Sequence, residues 1–137
     1  MLKKLFVSLA VAATIIFPYA PDIAAAEMGY APQISDKQRI KVTVVPQNIP
    51  PAEKNWDFAV TMESHTQALS DDLTKSSVLI ADGKQYLPLA WEGAPPGGHH
   101  RKGLLRFKAI APPPNSMELQ IRLAGDAVPR SFQWVLK

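Results

Sequence analysis

Residues 56–64 read WDFAVTMES, with apolar side chains at every second position. Trp56, Phe58, Val60 and Met62 fall on one side, and Asp57, Thr61 and Glu63 on the other. A period of two means a strand with one buried face. The same period recurs along the chain in short runs bounded by turn residues. Residues 39–46 bring Ile40, Val42 and Val44 to one face, and residues 76–81 form a short apolar run. Asp82-Gly83 follows, a pair that tolerates positive φ at both centres of a tight hairpin. Residues 85–91 return with Leu87, Leu89 and Trp91 expected inside; Pro88 within that run implies an edge position or a bulge. Residues 103–110 send Leu105, Phe107 and Ala109 in and Arg106 and Lys108 out. Met117, Leu119, Ile121 and Leu123 alternate over residues 117–124, and Phe132, Trp134 and Leu136 over residues 130–136. Helical periodicity is confined to a possible single turn near residues 70–74.

About seven antiparallel strands, each with one apolar face, need a second layer to cover them. The fold class expected is all-β, an immunoglobulin-like β-sandwich, with a small Greek-key barrel as the other solution. Most prolines of this part of the chain fall between the runs, where a missing N–H costs no ladder bond. Pro50-Pro51 and Pro112-Pro113-Pro114 read as stiff connectors. The chain has no cysteine, so the inter-sheet disulfide of antibody domains is excluded and packing must supply the stability.

The first residues carry a different signal. Lys3 and Lys4 precede an uncharged apolar run, residues 5–17, and Pro18 and Pro21 then break it. Such a run is shorter than the roughly 20 residues a membrane-spanning helix needs. Ala24-Ala25-Ala26 supplies the small residues that a signal peptidase reads, so residues 1–26 are expected to be a cleaved signal peptide. Export to the periplasm or the extracellular space follows, with no transmembrane segment in the mature chain. Cleavage leaves 111 of the 137 residues, enough for one domain. Residues 27–38 show no periodicity and are expected to form a flexible or loosely docked tail, with residues 39–137 as the β-sandwich domain. Lys3, Lys4 and Asp22 leave with the signal. Thirteen of the 15 basic and 11 of the 12 acidic residues remain, a net charge of +2 with no dense basic tract. That balance gives no case for nucleic acid as a partner.

One connection is longer than a hairpin requires. Between Trp91 and Leu104 the chain reads EGAPPGGHHRKG, combining stiff Pro95-Pro96, permissive Gly97-Gly98 and adjacent imidazoles at His99 and His100. The third histidine of the chain is His65, just past the second run. In an antiparallel sandwich the connections after the second, fourth and sixth strands emerge at the same pole. These carry His65, Asp71 and Asp72; His99, His100 and Arg101; and Asp126 and Arg130. Loops at a sandwich pole are where such folds commonly place function. Three imidazoles beside a carboxylate suit copper, zinc or nickel, so the metal-ligand set read here is His65, His99 and His100 with Asp71 or Asp72.

The plainer reading of the same residues stands beside it. His99 and His100 sit in a solvated loop shaped by Gly and Pro, and Ser70-Asp71-Asp72 begins a single helical turn, whose free N–H groups favour acidic side chains. A Ser-His-Asp reading of Ser64 or Ser70 with His65 and Asp71 lacks a strand–turn–helix elbow. No glycine-rich phosphate loop precedes a helix. Met62 and Met117 alternate with core residues and are read as packing rather than as copper ligands. Trp91 shares the parity of Leu87 and Leu89 and is likewise read as core. The chain is therefore expected to be a non-enzymatic binding module with copper or zinc held by its loop histidines; the alternative is a metal-free protein-interaction or structural module of the cell envelope, with an unknown protein partner.

The block Tyr86 to Phe107, YLPLAWEGAPPGGHHRKGLLRF, resembles a family of small, uncharacterised exported or membrane-anchored prokaryotic domains with the pattern PL-x-W-x-G-x-PPGGHHR-x-G-x-L-x-F. The upstream stretch WDFAVTMESHTQALSDDL is also similar to that family, with a His after the strand and an Asp-rich turn. The likeness extends by pattern over most of residues 40–136. It implies an immunoglobulin-like β domain and a pole shared by His65, His99 and His100. The family brings no assigned activity with it.

Overall fold

The structure is a computed structural model and describes residues 30–47, 49 and 54–136. Residues 1–26, expected to be a signal peptide, the start of the expected tail and the Pro50-Pro51 connector lie outside the described residues.

The alternation in the sequence becomes strands in two antiparallel sheets. In chain order these are β1 (Gln33–Lys37), β2 (Ile40–Pro46), β3 (Asn55–Ser64), a one-turn helix α1 (Leu73–Ser76), β4 (Ser77–Ala81), β5 (Lys84–Tyr86), β6 (Ala90–Gly93), β7 (His100–Lys108), β8 (Ser116–Ile121) and β9 (Arg130–Val135). One sheet runs β1-β2-β3-β7-β6 and the other β5-β4-β8-β9. Setting β1 aside, β2-β3-β7-β6 and β5-β4-β8-β9 reproduce the ABED and C′CFG orders of an immunoglobulin sandwich. The expected fold class is present, with nine strands among the described residues instead of seven.

The inner faces are those the parity assigns. Val42, Val44, Phe58, Val60, Met62, Leu79, Leu105, Phe107, Leu119 and Ile121 are sealed from solvent between the sheets. Phe58 meets Phe107 edge-on and lies against Trp134, each pair with ring centroids 5.7 Å apart. Such aromatic pairs add about 0.5–1.5 kcal/mol beyond the area they bury. Met62 and Met117 are buried in this core.

The two extra strands correct two expectations. Residues 33–37 are not a loose tail: they pair with β2 from Gln33↔Val44 to Lys37↔Ile40. Gln38 and Arg39, at φ 52° and 60°, make the turn between them. The strand is invisible to periodicity because its inward residues are Gln33, Ser35 and Lys37. It is held instead by backbone bonds, by Arg130 donating to the Ser35 and Lys37 carbonyls, and by Trp134 Nε1 donating to the Ala31 carbonyl.

The second correction lies at residues 85–91, expected as one strand. The chain leaves one sheet after Tyr86 and joins the other at Ala90. Pro88 has no N–H to give a ladder, and the switch occurs around it. Leu87 and Leu89 are therefore not core; they are 74% and 59% exposed. Leu89 N still donates to the Arg106 carbonyl at 2.7 Å, tying the crossing to the five-stranded sheet. Both β5 and β6 run toward the same end of the sandwich, so the up-and-down parity of the chain survives the split.

Candidate functional site: the histidine-bearing pole

Four connections meet at one end of the sandwich: the β1–β2 turn, the β3–α1 segment, the β6–β7 loop and the β8–β9 loop. Their contacts are direct. His65 N donates to the Arg39 carbonyl at 3.3 Å, and Ser64 N to the His99 carbonyl at 2.8 Å. Ala124 N donates to Asp71 Oδ1 at 3.0 Å. His65, His99 and His100 thus share a pole, as the parity argument expects, and all three are exposed.

The loops at this pole are fixed by their own backbones. Leu69 N donates to the Gly98 carbonyl and Gly97 N donates back to the Leu69 carbonyl, each at 2.8 Å. This reciprocal pair clips the PPGG segment onto the β3–α1 segment. Gly97 at φ 118° and Gly98 at φ 70° occupy backbone regions that side chains disfavour, which is why glycines stand there. Ser64, itself buried, accepts from Thr66 N and Gln67 N through its hydroxyl and turns the chain out of β3.

Beneath the clip lies Arg101, 2% exposed. Its Nη1 donates to the Asp71 carbonyl at 2.7 Å and to the Leu69 carbonyl at 3.2 Å, and its Nη2 to the Ala94 carbonyl at 3.4 Å. The guanidinium carbon stands 5.5 Å from the centre of the Trp91 ring, whose Nε1 donates to the same Ala94 carbonyl. Burial pushes the Arg101 pKa down, while the nearby Asp71 and Asp72 charges act in the opposite direction. One buried cation therefore ties the β3–α1 segment to the β6–β7 loop.

The glycines of the same block serve this arrangement. A Cβ on Gly103 would lie 2.7 Å from Trp91 Cζ2 and 2.7 Å from the Glu92 carbonyl. A Cβ on Gly93 would collide with the Gly103 Cα. The W-x-G…R-x-G spacing thus lets an indole lie over bare backbone with a guanidinium on its face.

A second buried arginine closes the other side of the pole. Arg130 is fully buried; its Nε and Nη2 bond Asp126 Oδ2 and Oδ1 at 3.0 and 3.3 Å. It also donates to the Ile40, Lys37 and Ser35 carbonyls at 2.7, 2.9 and 3.3 Å. Burial opposes ionisation of Asp126. The bonds from Arg130 and Leu123 N, with the charges of Arg130 and Lys37, outweigh burial and hold its carboxyl below the ordinary range.

The five residues read as a ligand set share this pole without converging. Among the described residues, no group of three or more His, Cys, Asp or Glu side chains is arranged to hold a metal ion. Asp72 caps α1, accepting from Thr74 N at 3.0 Å and Thr74 Oγ1 at 2.6 Å, and those bonds hold its carboxyl below its usual value. Asp71 holds the β8–β9 loop through Ala124 N. His100 is the first residue of β7 and pairs with Glu63, on the outer face of the sheet. Each carboxylate thus accepts a backbone N–H through its Oδ1, and one imidazole belongs to a sheet face rather than to a loop.

Arg101 and Arg130 as organisers of the pole are what the loop-centred reading missed. Arg101 shares the parity of Leu105 and Phe107, and Arg130 that of Phe132 and Trp134, so the inward direction of both was available from alternation alone. Comparison of the chain with family models, with curated proteins and with solved structures finds no match.

Proposed function

We propose that this protein is an exported, non-enzymatic binding module that presents the pole bearing His65, His99 and His100 to a protein partner. The observation that carries this reading is the Arg101 lock: one buried cation on three carbonyls joins the β3–α1 segment to the β6–β7 loop. A surface ordered in advance loses little entropy on docking, which favours recognition by fixed loops. The side chains it offers include exposed Thr66, Gln67, Ser70, Pro95, Pro96, His99 and His100.

A photo-crosslinking amino acid at Thr66 or Pro96, compared with one at Pro113 at the other end of the sandwich, tests the reading in the native envelope. Discrete adducts from the first two positions alone support it. Equal labelling from all three, or labelling from Pro113 only, overturns it.

A second reading, a copper or zinc site, has its own support in the Ser64 N–His99 O bond, which sets His65 and His99 on adjoining backbones. Calorimetric titration of the exported protein with Cu(II) and Zn(II) separates the two. Micromolar binding that disappears in the His99→Ala/His100→Ala variant favours the metal. Binding that is absent, or unchanged in that variant, removes it.

A further inference from the structure

We propose that the outer face of the five-stranded sheet is a self-association surface, on which a second copy of this chain packs about a two-fold axis parallel to the strands and lying between β2 and β3. This proposal uses the outer sheet face, which shares only His100 with the pole, and does not rest on the reading above.

The outward residues form rows across the strands. The row nearest the pole is Asp36, Lys41, Glu63 and His100, in successive register on β1, β2, β3 and β7. The next is Ile34, Thr43, Thr61 and Lys102, and the third holds Val45, Ala59 and Leu104. An axis between β2 and β3 lays β2 of one copy over β3 of the other, and β1 over β7. In the first row Lys41 then faces Glu63, and Asp36 faces His100, so every charge meets its complement or an imidazole. In the second row Thr43 faces Thr61 and Ile34 faces Lys102, whose aliphatic stem can cover it while the ammonium reaches solvent, and in the third Val45 faces Ala59. The order of side chains along the sheet is thus self-complementary under one simple rotation, as an isologous interface requires.

The rest of the face fits this occupant. The central side chains are short and uncharged, which permits the roughly 10 Å approach of two packed sheets. The charges lie toward the rim, where interfaces carry them. Ile34, 60% exposed on the outward side of β1, would be covered. Among the described residues none of Asp36, Lys41, Glu63 and His100 forms an ion pair within the chain. Four strands by three rows cover roughly 400 Å² per copy. That is the low end for specific association, so a weak dimer is expected.

Alternating charge along a row also arises from attraction between neighbouring strands of the same sheet. Charge exchange distinguishes the two origins. Sedimentation velocity of the exported protein at low salt, up to about 0.5 mM, should show a monomer–dimer equilibrium. Lys41→Glu and Glu63→Lys should each weaken it at least tenfold, because Glu would face Glu in one variant and Lys would face Lys in the other. Mixing the two variants should restore association as a heterodimer, since each then faces its complement. Thr61→Arg, at the centre of the face, should abolish the dimer, and it decides the matter if either charge variant fails to fold by circular dichroism. A monomeric wild type, a dimer indifferent to these substitutions, or a mixture that does not associate overturns the proposal.

Discussion

The Arg101 guanidinium lies over the Trp91 indole, and both donate to the Ala94 carbonyl. The indole, the cation and the carbonyl come from the two ends of the β6–β7 connection, so the loop between them is closed by side chains as well as by the sheet register. A closed, pre-ordered loop is what the proposed binding role needs, and it makes the pole sensitive to Arg101, which is buried beneath it.

Arg101→Ala should destabilise the protein by about 3 kcal/mol, since three carbonyls lose a charged donor and the Trp91 face loses its cation. Arg101→Lys should recover less than half of that, because a single ammonium cannot reproduce a planar fork aimed at three acceptors. Urea unfolding measures the loss. Hydrogen exchange locates it: the Leu69 and Gly97 amides, which form the reciprocal clip, should lose more protection than those of β8.

Gly103→Ala should cost about 2–3 kcal/mol, although it adds one methyl group on a strand. The added carbon would meet Trp91 Cζ2 and the Glu92 carbonyl at 2.7 Å, so either the indole or β6 has to shift. Gly83→Ala is a useful contrast: no atom lies within 4 Å of the added carbon, and its cost should reflect only the φ of +75°. Thermal melts of the two variants followed by circular dichroism check the difference.

Acid should weaken the second arginine anchor. The Asp126 carboxyl is held below its ordinary value in the folded protein. Its contribution is therefore present above the unfolded value of about 4 and lost as the pH falls through the lower folded value. Asp126→Asn should cost about 3 kcal/mol at neutral pH, because Arg130 stays buried with its carboxylate gone. The gap between wild type and variant should narrow below about pH 4. Asp72 and Glu118, also held low by hydrogen bonds, keep part of the acid sensitivity in the variant. Urea titrations from pH 7 to pH 2.5 give the comparison.

How far the sequence could be read depends on which force orders each element. Where burial does, as along β3, β8 and β9, the two-residue period gives strand, face and core residues together. Where backbone pairing does, as in β1, there is no apolar pattern to read; the strand is ordered by Arg130 and Trp134, more than ninety residues away. The shared pole of His65, His99 and His100 was legible because it depends only on parity. The use of Asp71 and Asp72 as backbone acceptors was not, because ligand and cap are the same chemistry until the neighbouring donors are placed. The inward arginines fall between these cases. Their parity was plain, but a charged residue at an inward position is discounted until its carbonyl partners are known.

The sheet switch at Pro88 gives the sharpest contrast between pattern and packing. A continuous strand over residues 85–91 would bury Leu87 and Leu89, and replacing either would cost as much as a core leucine. The observed crossing exposes both, so Leu87→Ser and Leu89→Ser should each change stability by no more than about 0.5 kcal/mol. Leu105→Ala, at a sealed position opposite Trp91 in the β6–β7 register, should cost about 2–5 kcal/mol. Chemical denaturation of the three variants decides between the arrangements. A loss above about 1.5 kcal/mol at Leu87 would mean that the chain does not cross between the sheets there.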